Sequence, residues 1–324
     1  MKRPKLRKVS ESTQPRERIL VFDIIRILCI AIIVYVHSQF FLIPDINKFL
    51  FPDGFGPMNI YPLGLDGYAV YGMILISGAV LEYNYQGVEK LHGYLQFLFK
   101  RFIRLYPAFW MSLVLGLVLN PALWQVNLPS LLFEFTGFFV VLGQGEGNIN
   151  IMGWFIATIV SLYILFPWFS KIIRRYGLGA LVGFCLMSWG LRFLILTYNL
   201  VPIDLFYRWF PLCNAFEFCL GIYIVQASLY PKTVNTFSII RELADLSYYV
   251  FIFHVLVILL FMEYLVKLLK PFDDSLVLNN LPGSLTIFYF QMMMGILVVS
   301  WIVMKIDIWI RNWIFQQEYV RKIL

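Results

Sequence analysis

Long apolar runs separated by short polar connections occupy the chain from about residue 19 to residue 308. A bilayer core of about 30 Å takes roughly 20 helical residues per crossing. Runs of that length stand at 19–43, 62–82, 95–119, 152–170, 178–198, 206–228, 246–267 and 284–308. A further apolar stretch at 128–142 is shorter and leads into the glycine-rich polar segment Gly143-Gln-Gly-Glu-Gly-Asn148. The pattern predicts an all-α fold, a polytopic transmembrane bundle of about eight spans, with eight to ten open to the count. No internal repeat stands out, and connections such as 44–61 and 270–283 are too short for an appended soluble domain. Chemistry is therefore expected inside the bundle or at its faces.

Composition excludes the soluble alternatives. Of 324 residues, 60% are hydrophobic and 14% charged, where soluble domains have about 45–50% and about 25%. A mean hydropathy of +0.75 leaves too little polar surface to coat a water-soluble body. Four cysteines without close spacing exclude a disulfide scaffold. With only three histidines, they also offer no zinc-ligand pairs, so no metal site is expected.

The net charge of +7 reads as a topology signal. Lys2, Arg3, Lys5, Arg7, Lys8, Arg16 and Arg18 crowd the first 18 positions, beside a long apolar run. That adjacency favours a cytoplasmic tail touching anionic lipid over nucleic-acid binding. The following segment is too long for the h-region of a cleavable signal. Lys90, Lys100, Arg101 and Arg104 mark the second connection, Lys171, Arg174 and Arg175 the fourth, and Lys232 and Arg241 the sixth. Arg311, Arg321 and Lys322 mark the end. Eight spans with both termini cytoplasmic accommodate these residues, provided that 128–142 does not cross. The expected organisation is a basic tail at 1–18, a membrane domain at 19–310 and a short cytoplasmic tail at 311–324, in a multi-pass protein of the cell membrane.

Ionisable groups within spans are costly and are functional suspects by default. The first span carries Asp23, Arg26 and His37. Arg26 and His37 are eleven residues apart, about 20° beyond three full turns and roughly 16 Å along the axis. They share one stripe, and Asp23 lies one turn before Arg26, within reach of an ion pair. Arg101 and Arg104, at i and i+3, share a face just before Pro107, with Lys100 alongside. Paired guanidinium groups suit a phosphate-bearing cytoplasmic ligand. Each residue also has a plainer reading: a paired anchor for Asp23–Arg26, an interfacial residue for His37, a positive-inside marker for the arginine pair. Glu217, in an apolar run, either pairs with a basic residue or meets a ligand. His254 reads as a packing residue or a support in the pocket. Asp66 and Glu82 read as span-boundary residues, His92 as a solvated connection residue, and the cysteines as apolar packing.

Several motifs converge. Arg26-x10-His37 lies in the first span, Ser77-Gly78 closes the second, and Arg101-x2-Arg104-Leu-Tyr-Pro107 opens the third. Trp154-Phe-Ile-x6-Tyr163-x3-Pro167, Phe216-x4-Gly221 and Ser247-Tyr248…Phe253-His254 follow. Together they resemble the membrane-bound acyltransferase-3 family, which includes O-acetyltransferases of bacterial surface polysaccharides. The similarity runs from about 19 to 310. Two departures stand out: aliphatic Met73-Ile74-Leu75-Ile76 replaces an aromatic pair before Ser-Gly, and Ile159 and Val160 stand where some members have a carboxylate.

The resemblance implies transfer of an acyl group, usually acetyl, from cytoplasmic acyl-CoA (acetyl-CoA) to a glycan or lipid-linked acceptor in the cell envelope. On that reading Arg101 and Arg104, with Lys100, hold the nucleotide phosphates and Arg26 orients the donor. His37, whose unperturbed pKa is near 6.5, acts as general base or as acyl carrier. Asp23, Ser77, Trp154, Tyr163, Glu217 and His254 are candidate pocket residues, although aromatic belts also account for Trp154 and Tyr163. A secondary transporter, or a membrane sensor using Arg26 and His37 structurally, is the alternative. The acceptor and the oligomeric state are not specified by the sequence.

Overall fold

A computed structural model describes residues 18–50, 65–85, 91–119, 128–138, 149–198, 210–231, 237–269, 274–317 and 320. Expectations for the basic tail at 1–17, the 143–148 loop and Lys90, Lys232, Arg321 and Lys322 lie outside the described residues. The described chain is all-helical: α1 (Leu20–Leu50), α2 (Leu65–Tyr85), α3 (Leu91–Leu119), α4 (Leu128–Thr136), α5 (Gly153–Tyr176) and α6 (Leu178–Tyr198). A 3-10 turn at Pro211–Asn214 then runs into α7 (Ala215–Gln226), followed by α8 (Ser238–Leu269) and α9 (Asp274–Gln316).

Among the described residues, seven helices are long and apolar enough to cross a bilayer, within Leu20–Ser38, Leu65–Tyr85, His92–Leu119, Gly153–Tyr176, Leu178–Tyr198, Ser238–Phe261 and Tyr289–Gln316. They coincide with seven of the eight expected spans. The other, expected at 206–228, is described only as the shorter apolar piece Pro211–Gln226. The stretch at 128–142 contributes the 9-residue α4, about 13.5 Å of helix at 1.5 Å per residue and too short to cross. Its Phe135 and Thr136 carbonyls accept hydrogen bonds from Trp110 Nε1 at 2.9 Å and the Tyr106 hydroxyl at 2.7 Å.

Burial follows the side-chain pattern. α6 buries only Leu181, Ser188, Arg192 and Ile195, spaced 7, 4 and 3 along one helical stripe. Its Val182, Leu186, Trp189, Phe193 and Leu196 are exposed, a contiguous apolar face that suits lipid contact. α8 is the reverse: every residue from Tyr249 to Ile258 is buried, as in a helix enclosed on all sides. It packs against α1, α3 and α9, while α7 fills the space between α2, α5 and α6.

Polar contacts fix which helix ends meet. Arg18, just before α1, bonds Asp245 near the start of α8. Arg311, near the end of α9, reaches the Tyr249 hydroxyl four residues farther along α8. Arg174 and Gln226, near the ends of α5 and α7, converge on Glu82 near the end of α2. The start of α1 and the end of α9 therefore lie at one end of the bundle. The α5–α6 reversal is a single residue, Gly177, at φ 55°, whose N–H bonds Ile173 O at 2.7 Å; that left-handed conformation favours glycine.

Candidate active site

The first polar site is a cavity of about 230 Å³ at the start of α1, lined by Arg18, Asp23, Arg26, Tyr83, Asn84, Arg104 and Asp245 with Ile19, Phe22 and Val80. Arg18 grips Asp245 with both Nη atoms, each 2.9 Å from a carboxylate oxygen, a bidentate fork. Its Nε lies 3.2 Å from Asp23 Oδ2. Asp23 is also 3.7 Å from Arg26, so the expected Asp23–Arg26 pair is the longer of two contacts that this buried carboxylate makes. Three guanidinium groups and two carboxylates thus line one cavity, leaving a net positive lining.

The cavity wall is braced from behind. The Tyr248 hydroxyl donates to Leu105 O at 2.6 Å, tying α8 to α3 beside Pro107. The Tyr249 hydroxyl bonds the fully buried Asp307, and Arg311 Nε lies 2.9 Å from the same carboxylate. α5 reaches this end through Arg174, which pairs with Glu82 at 3.0 Å; Tyr163 does not line the cavity.

The second polar site lies farther along α1. His37 Nδ1 is 2.7 Å from Nε2 of His254. The two rings lie within 2° of parallel, with centroids 5.0 Å apart. His254 is fully buried on α8, and its Nδ1 faces Phe251 O at 2.8 Å and Val250 O at 3.1 Å. Asp66, at the start of α2, lies within electrostatic reach of His37. Between the two sites the α1 stripe consists of Ile30, Ile33 and Val34, all buried in the main core.

The predicted residues therefore divide. Asp23, Arg26 and Arg104 meet at the cavity, which Tyr163 does not line; His37 meets His254. Arg101 does not line the cavity: its guanidinium stacks 4.6 Å above the Tyr85 ring and 5.9 Å from that of Phe97. Lys100 is exposed and also absent from the lining. Ser77 is half-buried on α2, and Trp154 is buried against Phe155. Glu217 pairs with Arg192 at 2.9 Å. Glu82 stands in the last turn of α2, as expected for a span-boundary residue, but it is not solvated there. It is fully buried, accepting hydrogen bonds from Ser170 at 2.6 Å and from Arg174 and Gln226 at 3.0 Å each.

Sequence reasoning missed Arg18 and Asp245 as site residues, and Arg192 and Asp307 as buried charges. The signal for the last two was present, since each is an ionisable residue inside a long apolar run. Nothing local distinguished Arg18 from its basic neighbours.

A family model described as an acyltransferase domain, that of the acyltransferase-3 family, matches residues 19–241. The chain belongs to that family and is a membrane acyltransferase. The match covers Arg26, His37, Arg101 and Arg104 and stops before Asp245 and His254. No curated protein and no solved structure matches the chain.

Proposed function

We propose that this membrane acyltransferase moves an acyl group, in the simplest case acetyl, from acyl-CoA to a hydroxyl of a glycan or lipid-linked acceptor. O-acetylation of a cell-envelope polysaccharide is the reaction type that fits. The observation that carries this reading is the placement of two polar sites on one helix: the arginine-lined cavity at the start of α1, and the His37–His254 pair about three turns beyond Arg26.

Guanidinium groups are permanently charged planar forks suited to phosphate. Arg26 and Arg104 take the nucleotide phosphates, and Arg18 joins them by exchanging Asp245 for the ligand. Arg101 and Lys100 contribute attraction at longer range rather than contacts. The basic residues at this end, among them Lys100, Arg174, Arg175, Arg241 and Arg311, support a cytoplasmic orientation by the positive-inside rule, on the side where acyl-CoA is made. The pantetheine arm then follows the α1 stripe toward His37, and Ile30, Ile33 and Val34 must part to admit it.

At His37 the chemistry is proton transfer or nucleophilic attack. In the direct route the imidazole takes the acceptor hydroxyl proton as oxygen attacks the thioester carbonyl. The C–O bond forms, the C–S bond breaks, and the departing thiolate takes the proton back from His37. In the two-step route the imidazole attacks first and the C–S bond breaks to release the thiolate; the acceptor oxygen then forms the C–O bond as the C–N bond to the imidazole breaks, and its proton goes to the thiolate. A transporter or a sensor, open on the sequence alone, is disfavoured by membership of an acyltransferase family.

Equilibrium binding of labelled acetyl-CoA to detergent-purified protein tests the donor site. Arg26→Ala and Arg104→Ala should each weaken binding about tenfold, ~1.4 kcal/mol. Undiminished binding by the double variant would remove the donor from this cavity.

A further inference from the structure

We infer that His254 sets the tautomer of His37, and so assigns Nε2 of His37 as the atom that handles the proton or carries the acyl group. This deepens the function proposed above and rests on His37 being its acid–base or carrier residue.

A neutral imidazole has one nitrogen that donates and one that accepts. His254 Nδ1 faces two backbone carbonyls of its own helix, Phe251 O at 2.8 Å and Val250 O at 3.1 Å. Carbonyl oxygens only accept, so Nδ1 of His254 carries the hydrogen and its Nε2 carries the lone pair. The atom opposite that lone pair is Nδ1 of His37, 2.7 Å away. Two lone pairs would repel at that distance, so Nδ1 of His37 donates. The lone pair of His37 is then on Nε2.

The arrangement is one-directional because its anchor cannot titrate. The α8 carbonyls hold the His254 hydrogen, and His254 in turn holds the His37 hydrogen. In the direct route Nε2 of His37 takes the hydroxyl proton as the C–O bond forms and the C–S bond breaks, then returns it to the thiolate. The imidazolium formed in between keeps its Nδ1–H on His254, which shares the charge. In the two-step route Nε2 bonds to the acyl carbon as the C–S bond breaks and the thiolate leaves, with the same Nδ1–H in place; the acceptor oxygen then forms the C–O bond as the C–N bond breaks, and its proton goes to the thiolate. His254 is in either case a positioning residue that exchanges no proton with substrate.

The chain has three histidines, so a His92→Gln background leaves only the pair. Nitrogen-15 NMR of histidine-labelled protein in nanodiscs should show His37 protonated at Nδ1 when His254 is present. His254→Leu should lose this preference. His254→Gln should keep it, because the side-chain oxygen accepts from Nδ1. Turnover should follow the tautomer: kcat falls roughly 100-fold in the Leu variant with little change in donor KM, and the Gln variant restores most of it. A wild-type His37 protonated at Nε2, or Leu and Gln variants alike in tautomer and rate, would overturn the inference. A correct tautomer with full turnover by His37→Ala would instead remove His37 from the chemistry, and the atom assignment with it, leaving only the tautomer lock.

Discussion

Gly78 of α2 and Gly221 of α7 each lie against the backbone of the other helix. A Cβ added at Gly78 would stand 2.1 Å from Phe218 O, and one added at Gly221 would stand 2.0 Å from Leu75 O. These are the glycines of the Ser77-Gly78 and Phe216-x4-Gly221 motifs, and their role is close helix approach, as small residues serve in membrane bundles. Gly78→Ala and Gly221→Ala should each destabilise the protein by about 1–3 kcal/mol, the usual range for overpacking, read as lower thermal midpoints in detergent. Gly183→Ala, where nothing lies within 4 Å of the added Cβ, should be neutral or slightly stabilising because it raises helix propensity. Equal stability for all three variants would contradict the packing.

Arg192 and Glu217 form a buried pair at 2.9 Å, and Arg192 also lies over the Tyr71 ring at 4.7 Å and the Trp189 ring at 5.3 Å. Removing one partner leaves an uncompensated buried charge. Arg192→Met should therefore cost about 3–5 kcal/mol, and the double variant with Glu217→Leu should recover most of the loss. A double-mutant cycle on thermal unfolding checks this. Additive losses would mean that the two charges do not stabilise each other.

Arg18 and Asp245 predict kinetic effects of opposite sign. Asp245 is about half exposed and, if the donor binds as proposed, would compete with its phosphates for Arg18. Asp245→Asn should lower the donor KM severalfold by releasing Arg18, and Arg18→Ala should raise it by roughly three- to tenfold, with kcat changed little in both. Steady-state kinetics over a range of acetyl-CoA concentrations decides the matter. A shift of both variants in the same direction would make the contact purely structural.

Most of the fold was legible in the sequence because lipid acts on composition directly: seven spans stand out as apolar runs, and the placement of basic residues predicted that 128–142 does not cross. The Arg26–His37 stripe was legible from helical periodicity alone. Contacts between helices were not. No local pattern joins His37 to His254, 217 residues away, or Arg18 to Asp245, 227 residues away. Arg101 and Arg104 share a helical face in sequence, yet Tyr85 of a different helix captures Arg101. Glu82 reads as a boundary residue near a helix end, and nothing local shows that α5 and α7 close over it.

Turnover of labelled acetyl-CoA by the purified protein in proteoliposomes tests most directly whether Arg26 and His37 serve one acyl transfer. The expected result is time-dependent release of CoA with transfer of label to an added envelope-glycan fraction. Arg26→Ala should lose activity mainly through weaker donor use, and His37→Ala should lose at least about 100-fold in kcat. Wild-type protein that consumes no acetyl-CoA in the presence of acceptor, or a His37→Ala protein that turns it over at the wild-type rate, would mean that Arg26 and His37 do not serve this transfer.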